Sequence, residues 1–314
     1  MPAIAVADLD TLPRLRREPL GSTRPVVSVT RALSALEGAG FPVFRGFAGL
    51  DLRAIDPFVL LDQLGPIFNE PYQTKGAPWH PHRGFETVTY IIDGAVEHHD
   101  STGGGGIISD GDTQWMTAGA GILHDEVPTE EGFALGGPQH GVQLWVNLPA
   151  RLKFTAPRYQ AIAGSELTLF TNDDASAIIR LIAGTIGEFS GPGSTHTPIT
   201  LAHATLKPGA TVTIPWDTTH NAMAYALLGR GTTGPDHTEL SAHQLAYFGA
   251  GDAVSVHASA SVDEPFEVLL LGGEPINEPI VHFGPYVMNT ETEIRQAFHD
   301  YEAGRMGTAP RRRY

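Results

Sequence analysis

Residues 80–94 read HPHRGFETVTYIIDG, and this stretch decides the fold. His80 and His82 are two residues apart, so in an extended chain both side chains project from one face. Thr87–Ile92 is a run of β-branched and aromatic residues, the composition of a strand, and Asp93-Gly94 is a tight-hairpin dipeptide. Further on, residues 119–126, GAGILHDE, repeat the two-residue spacing with His124 and Glu126. Between the pairs lie a polar stretch from Glu97 to Asp100, the run Gly103–Gly106, a turn at Asp110-Gly111-Asp112 and a short strand, Thr113–Met116. Pair, hairpin, glycine turn and pair follow in the order a small β-barrel needs, with the two pair-bearing strands expected to face each other inside it. A lone His-X-His is common on surface strands. Its repetition in this context supplies three imidazoles and a carboxylate, a ligand set suited to one transition-metal ion with open positions.

The 314 residues allow one large or two ordinary domains. The 36 glycines and 24 prolines, with β-branched runs between them, favour many short strands and tight turns. A net charge of −15 argues against nonspecific nucleic-acid binding; the one basic cluster, Arg311-Arg312-Arg313, reads as a frayed tail. Without cysteine there is no disulfide, thiolate ligand or cysteine nucleophile. No secretory leader and no apolar run of membrane-spanning length is seen, so a soluble, cytoplasmic protein is expected, with no membrane partner.

From about residue 178 the pattern of short strands begins again. Tyr225–Gly229 mirrors Tyr90–Gly94, and Ala250-Gly251-Asp252 mirrors Asp110-Gly111-Asp112. Counting from those glycines puts Pro215 and Asp217 at the places of His80 and His82, and Glu264 and Phe266 at those of His124 and Glu126. The expected architecture is therefore all-β: a metal-binding barrel over residues 25–150, a second barrel without ligands over 178–285, and a helix and tail over 286–314. His220, His237, His243 and His257 form no His-X-His pair and read as surface or turn residues. Ile294, Ala297 and Phe298 share one face of a helix predicted over Glu291–Ala303, with Thr290 as N-cap and Glu293 as reciprocal partner.

Residues 80–90 (HPHRGFETVTY), 112–119 (DTQWMTAG), 121–128 (GILHDEVP) and 143–149 (QLWVNLP) resemble the signature blocks of the pirin family, a bicupin branch of the cupin superfamily. The resemblance spans nearly the whole chain and is densest over residues 78–149. It implies two cupin barrels with one metal, held in the first by His80, His82, His124 and Glu126. The general cupin pattern would take its carboxylate at Glu86, which stands as the alternative ligand. The ligand set suits Fe(II) foremost, and also Mn, Ni, Co, Cu or Zn. The resemblance further implies quercetin 2,3-dioxygenase activity, the opening of a flavonol by O2 with release of carbon monoxide. Glu126, as a ligand with its second oxygen free, would take the flavonol hydroxyl proton as general base.

The same resemblance admits a regulatory protein that binds a metabolic enzyme or a transcription factor, or a different metal-dependent cupin enzyme, because fold and ligands are shared. Around the site, Gln143 and Trp145 are both able to face the pocket, although Trp145 fits the barrel core equally well. Arg83 is expected in a structural salt bridge, and Asp125 faces away from the ligands. His98 and His99 adjoin the hairpin and are expected to be solvated.

Overall fold

The structure is a computed structural model describing residues 5–16 and 21–309; the Arg311–Arg313 cluster lies outside the described residues. The chain is mostly strand and forms two compact units. Their composition departs from the expected bounds. Strand β1 (Val26–Arg31) pairs with Gln244–Phe248 and belongs to the second unit, Ala5–Leu33 with Glu166–Pro275. The chain from Ile276 on returns to the first unit, Ser34–Ser165. Hydrogen bonding between segments distant in sequence sets these boundaries, and no local signal carries it.

In the first unit, β2 (Leu33–Glu37), β3 (Phe41–Arg45), β4 (Phe58–Asn69), β5 (Ala77–His82), β6 (Phe85–Asp93), β7 (Ala95–Asp100), β8 (Gly105–Ser109), β9 (Thr113–Thr117), β10 (Ile122–Pro128), β11 (Gly137–Asn147) and β12 (Arg158–Ile162) make two antiparallel sheets. The larger runs β12-β9-β6-β11-β4-β3-β2 and the smaller β5-β10-β7-β8. The two pair-bearing strands, β5 and β10, are thus neighbours in one sheet and do not face each other across the interior: His124 pairs with His80 and Ile122 with His82. Strand β12 pairs along its whole length with β9.

The second unit repeats the design. Its larger sheet contains β1, Gln244–Phe248, Met223–Leu228, Phe266–Gly273, Ile199–Leu206, Ala177–Ala183 and Thr168–Thr171, in that order. Its smaller sheet runs Thr211–Pro215, Ala253–Ala258, Arg230–Thr233, Thr238–Ser241. Gly94 and Gly229 anchor the comparison: a Cβ on Gly94 would lie 2.3 Å from the Pro138 carbonyl oxygen, and one on Gly229 2.5 Å from that of Pro265. The registers then match Ile214, Val254 and Val256 to His80, His124 and Glu126, with Trp216 at the place of His82.

This corrects the alignment that gave Pro215, Asp217, Glu264 and Phe266. One residue more separates Ile214 from Gly229 than separates His80 from Gly94. The true counterpart of Gly111 is His243: both have positive φ, and their N–H groups donate to the equivalent carbonyls of Ile91 and Ala226. Side chains alternate along a strand, so a one-residue slip exchanges the two faces. Ile214, Trp216, Val254 and Val256 are all buried in the apolar core of this barrel.

Helix α1 (Glu130–Leu135) is a single capped turn-and-a-half with no buried residue, too short for a periodic signal in sequence. Helix α2 (Glu291–Glu302) has the expected capping box between Thr290 and Glu293. It buries Ile294 and Ala297 against Leu123, Tyr286, Met288 and Met306, with Phe298 packed alongside. Leu123 precedes His124 on its strand, so this helix covers the face of β10 opposite the histidines. No helix among the described residues is long and apolar enough to cross a membrane.

Candidate metal centre

Strands β5 and β10 bring His80, His82 and His124 together, with one ring nitrogen of each within 4.8 Å of the others. Ring centroids lie 4.2 Å apart for His80–His124, 4.7 Å for His80–His82 and 4.9 Å for His82–His124. The Nδ1 of His80 is 2.7 Å from the Pro78 carbonyl oxygen and that of His82 is 3.1 Å from the Pro285 carbonyl oxygen. A carbonyl only accepts, so both Nδ1 atoms carry the hydrogen and both Nε2 lone pairs are left for a ligand. Burial, reinforced by the neighbouring His80, pushes the His82 and His124 imidazoles well below the ordinary histidine range. They are therefore neutral, the form that binds a metal. His124 Nε2 is buried with no hydrogen-bond partner among the described residues. A divalent cation fits this donor set and would satisfy that nitrogen.

Glu126 stands in a second, overlapping group with His98 and His124. Three residues of the opposing sheet hold its carboxylate. Oε1 accepts from Thr89 Oγ1 at 2.6 Å and from Gln114 Nε2 at 2.8 Å, and Oε2 accepts from Gln143 Nε2 at 2.9 Å. Gln114 and Gln143 are the cross-strand partners of Thr89 on β9 and β11, so the three form one row across the sheet. Neither oxygen of Glu126 is free, contrary to the sequence expectation. One adjustment is built in: the single hydroxyl hydrogen of Thr89 also faces Gln143 Oε1 at 2.9 Å. Turned that way, it would vacate one lone pair of Glu126 Oε1.

Glu86 lies three residues before Thr89 on β6 and so faces the other side of the sheet. It is fully buried, accepts a 2.6 Å hydrogen bond from Thr117 Oγ1, and belongs to neither group.

A cavity of about 610 Å³ opens on the site, lined by Trp79, His80, His82, Thr89, Gln143 and Trp145 among others. That volume is in the range of small-molecule sites. Trp145 sets its indole edge-on to His82 at 5.1 Å, which places it on the cavity wall. Elsewhere on the wall Arg45 is paired with Asp62 at 2.7 and 2.9 Å and with Glu37.

Arg83 makes the expected salt bridge, to Asp300 on α2 at 2.8 Å, and also donates to the Ala120 carbonyl. Asp125 turns away from the ligands and meets His99 Nδ1 at 2.9 Å. His99 is part-exposed, but His98 is fully buried, its Nδ1 3.4 Å from that of His124 and its ring stacked on Tyr159. The solvated role expected of His98 is therefore wrong. The one signal in the sequence was the two-residue spacing of His98 and Asp100, which repeats that of the ligand pairs; that β7 flanks β10 shows only in the fold.

Two barrels in one chain, one with a histidine-lined polar interior, define a bicupin. The Pirin family model matches residues 40–146, and that for the Pirin C-terminal cupin domain matches residues 201–307. This chain belongs to the pirin family. A pirin-like protein of Solanum lycopersicum is 41% identical over 288 residues, covering 90% of this chain and 93% of its own length. Among solved structures, a quercetin 2,3-dioxygenase from Acinetobacter baumannii superposes with a TM-score of 0.85 at 36% identity, covering 91% of this chain and 99% of its own. A bacterial pirin of Escherichia coli, solved in complex with nickel(II), shares the fold at 20% identity with a TM-score of 0.58, covering 79% of this chain and 100% of its own.

Proposed function

We propose that this chain is a metal-dependent dioxygenase that opens flavonols in the manner of a quercetin 2,3-dioxygenase, as a cytoplasmic enzyme with one divalent ion per chain, Fe(II) foremost. The observation that carries this reading is that His124 stands both with His80 and His82 and with Glu126, a carboxylate held from the opposite sheet, and that His80, His82 and Glu126 line one 610 Å³ cavity. His80, His82, His124 and Glu126 would hold the ion. The likeness to the Acinetobacter enzyme supports the choice of substrate class.

The bound ion would supply Lewis acidity toward a flavonol oxygen and a place for O2. The rest falls to side chains. Trp145, on the cavity wall beside His82, offers flat apolar surface to a planar aromatic substrate and excludes water. Glu126 would accept the hydroxyl proton of the substrate, using the lone pair released when Thr89 turns its hydrogen to Gln143. Gln114 and Gln143 would keep the carboxylate in place during that transfer.

The test is O2 uptake with release of carbon monoxide by Fe(II)-loaded protein and quercetin. Wild type should turn over, and Glu126→Gln should retain appreciable metal yet turn over far more slowly. Full activity in Glu126→Gln, with Glu86→Gln losing both metal and turnover, would overturn the assignment. Absence of O2 uptake with any flavonol would remove the oxygenase reading and favour a regulatory role.

A further inference from the structure

Each histidine of the cluster needs its Nδ1 fixed if its Nε2 is to face the site. Backbone carbonyls do this for His80 and His82. His124 differs: its Nδ1 faces another imidazole, His98 Nδ1 at 3.4 Å, and either nitrogen could be the donor. That contact leaves the tautomer of His124 undecided.

Asp100 supplies the missing bias. It lies two residues beyond His98 on β7, cross-strand from His124, while His98 is cross-strand from Glu126. Its Oδ1 is saturated by the Thr102 N–H at 2.7 Å, the Thr102 hydroxyl at 2.7 Å and the Gly104 N–H at 3.0 Å. Its Oδ2 is buried, without a hydrogen-bond partner, and lies 3.8 Å from His98 Nε2, which is also buried and without one. The gap is wider than a hydrogen bond, but a carboxylate at that distance in a dry interior favours the hydrogen on Nε2. Nδ1 of His98 is then an acceptor, and His124 must donate to it. Two neighbours hold the arrangement. Tyr159 stacks on the His98 ring at 5.1 Å and 23°. Gly104 leaves the carboxylate its room, since a Cβ there would come within 2.4 Å of Oδ2.

We propose that His98 and Asp100 are a positioning pair that fixes the tautomer of His124, so that metal affinity depends on a carboxylate outside the ligand set. This rests on the reading of His124 as a ligand.

Asp100→Asn tests it without a change of size. The three donors around Oδ1 require the amide oxygen there, so the amide NH2 must take the place of Oδ2. An NH2 facing His98 Nε2 asks for a lone pair, which reverses both imidazoles. Long-range 15N–1H correlation spectra of histidine-labelled apoprotein read the tautomer directly, and a competitive titration with Zn2+ alone reads the affinity. In wild type His124 should carry its hydrogen on Nδ1; in Asp100→Asn it should move to Nε2, with Zn2+ affinity about 10–100-fold lower. An unchanged tautomer and unchanged affinity would overturn the proposal. If wild type bound no Zn2+, the ligand reading would fail, while the spectra would still test the pair.

His98→Phe keeps the stack on Tyr159 and guards against misfolding of the first variant. It should weaken Zn2+ to a similar degree without abolishing binding. Loss as complete as in His124→Ala would overturn the proposal by making His98 itself a ligand.

Discussion

The two barrels share sheet order, strand register and the turn glycine of Gly94 and Gly229, yet their interiors have opposite chemistry. Where the first has His80, His82, His124 and Glu126, the second has Ile214, Trp216, Val254 and Val256. Where the first sets the row Gln114, Thr89, Gln143 against Glu126, the second has Ala246, Ala224 and Leu270. Every one of the second set lies in a single apolar cluster. The backbone frame thus fixes where side chains converge and leaves open what they do there. An apolar set closes a core; a polar set, linked by hydrogen bonds across the barrel, leaves a cavity and a place for a cation. The first barrel is also closed from outside, by α2 packed on Leu123 and tied through Asp300 to Arg83, the residue after His82.

The largest effect expected from this contrast is at Val256, the counterpart of Glu126. In Val256→Glu a carboxylate would be buried among Ala224, Ala246 and Leu270 with none of the donors that Glu126 enjoys. A loss of about 4 kcal/mol is expected in urea unfolding, a large share of the stability of an ordinary domain. A near-neutral result would mean that the second interior tolerates polarity and that the contrast is not energetic.

A smaller effect is expected from the outer clamp. Hydrogen bonding to Arg83 holds the Asp300 carboxyl well below its ordinary range, against the effect of burial. Since the folded value lies below the unfolded one of about 3.9, the contribution is complete above that pH and is lost as pH falls further. Asp300→Asn should therefore cost about 1 kcal/mol at pH 7 once solvent screening of this near-surface carboxylate is counted, with the difference from wild type shrinking below about pH 4. A difference that stayed constant through that range would show that the clamp acts by packing alone.

The smallest effect is expected at His80, which is only half-buried on the cavity wall. His80→Leu should change the stability of metal-free protein by less than about 1 kcal/mol. A larger loss would show that the histidine cluster also serves as a core.

Much of this was legible in the sequence because the signals are local. The alternation of His80 with His82 and of His124 with Glu126 placed each pair on one face, and the capping box at Thr290 and Glu293 set the start of α2. What could not be read was which strands lie side by side. Residues 80–82 and 122–124 are adjacent in one sheet, and β7 completes the other flank of β10; pairing distant in sequence decides both. For that reason His98, flanked by a hairpin glycine and a glycine run, read as solvated although it is buried against His124. The slip in aligning the second barrel has the same origin. Gly251 sits in a turn whose sequence looks like that of Gly111, yet it precedes the strand equivalent to β10, as Gly121 does. Glu86 and Glu126 were separated only by resemblance until the parity of β6 put Glu86 on the far face with Thr117.

The central claim is that the polar interior of the first barrel holds one metal ion and the apolar interior of the second holds none. Elemental analysis of protein purified without an affinity tag tests this most directly, with wild type measured beside His124→Ala. One divalent transition metal per chain in wild type and almost none in His124→Ala, at unchanged folding, is the predicted result. Two metals per chain, or one that survives in His124→Ala, would contradict it.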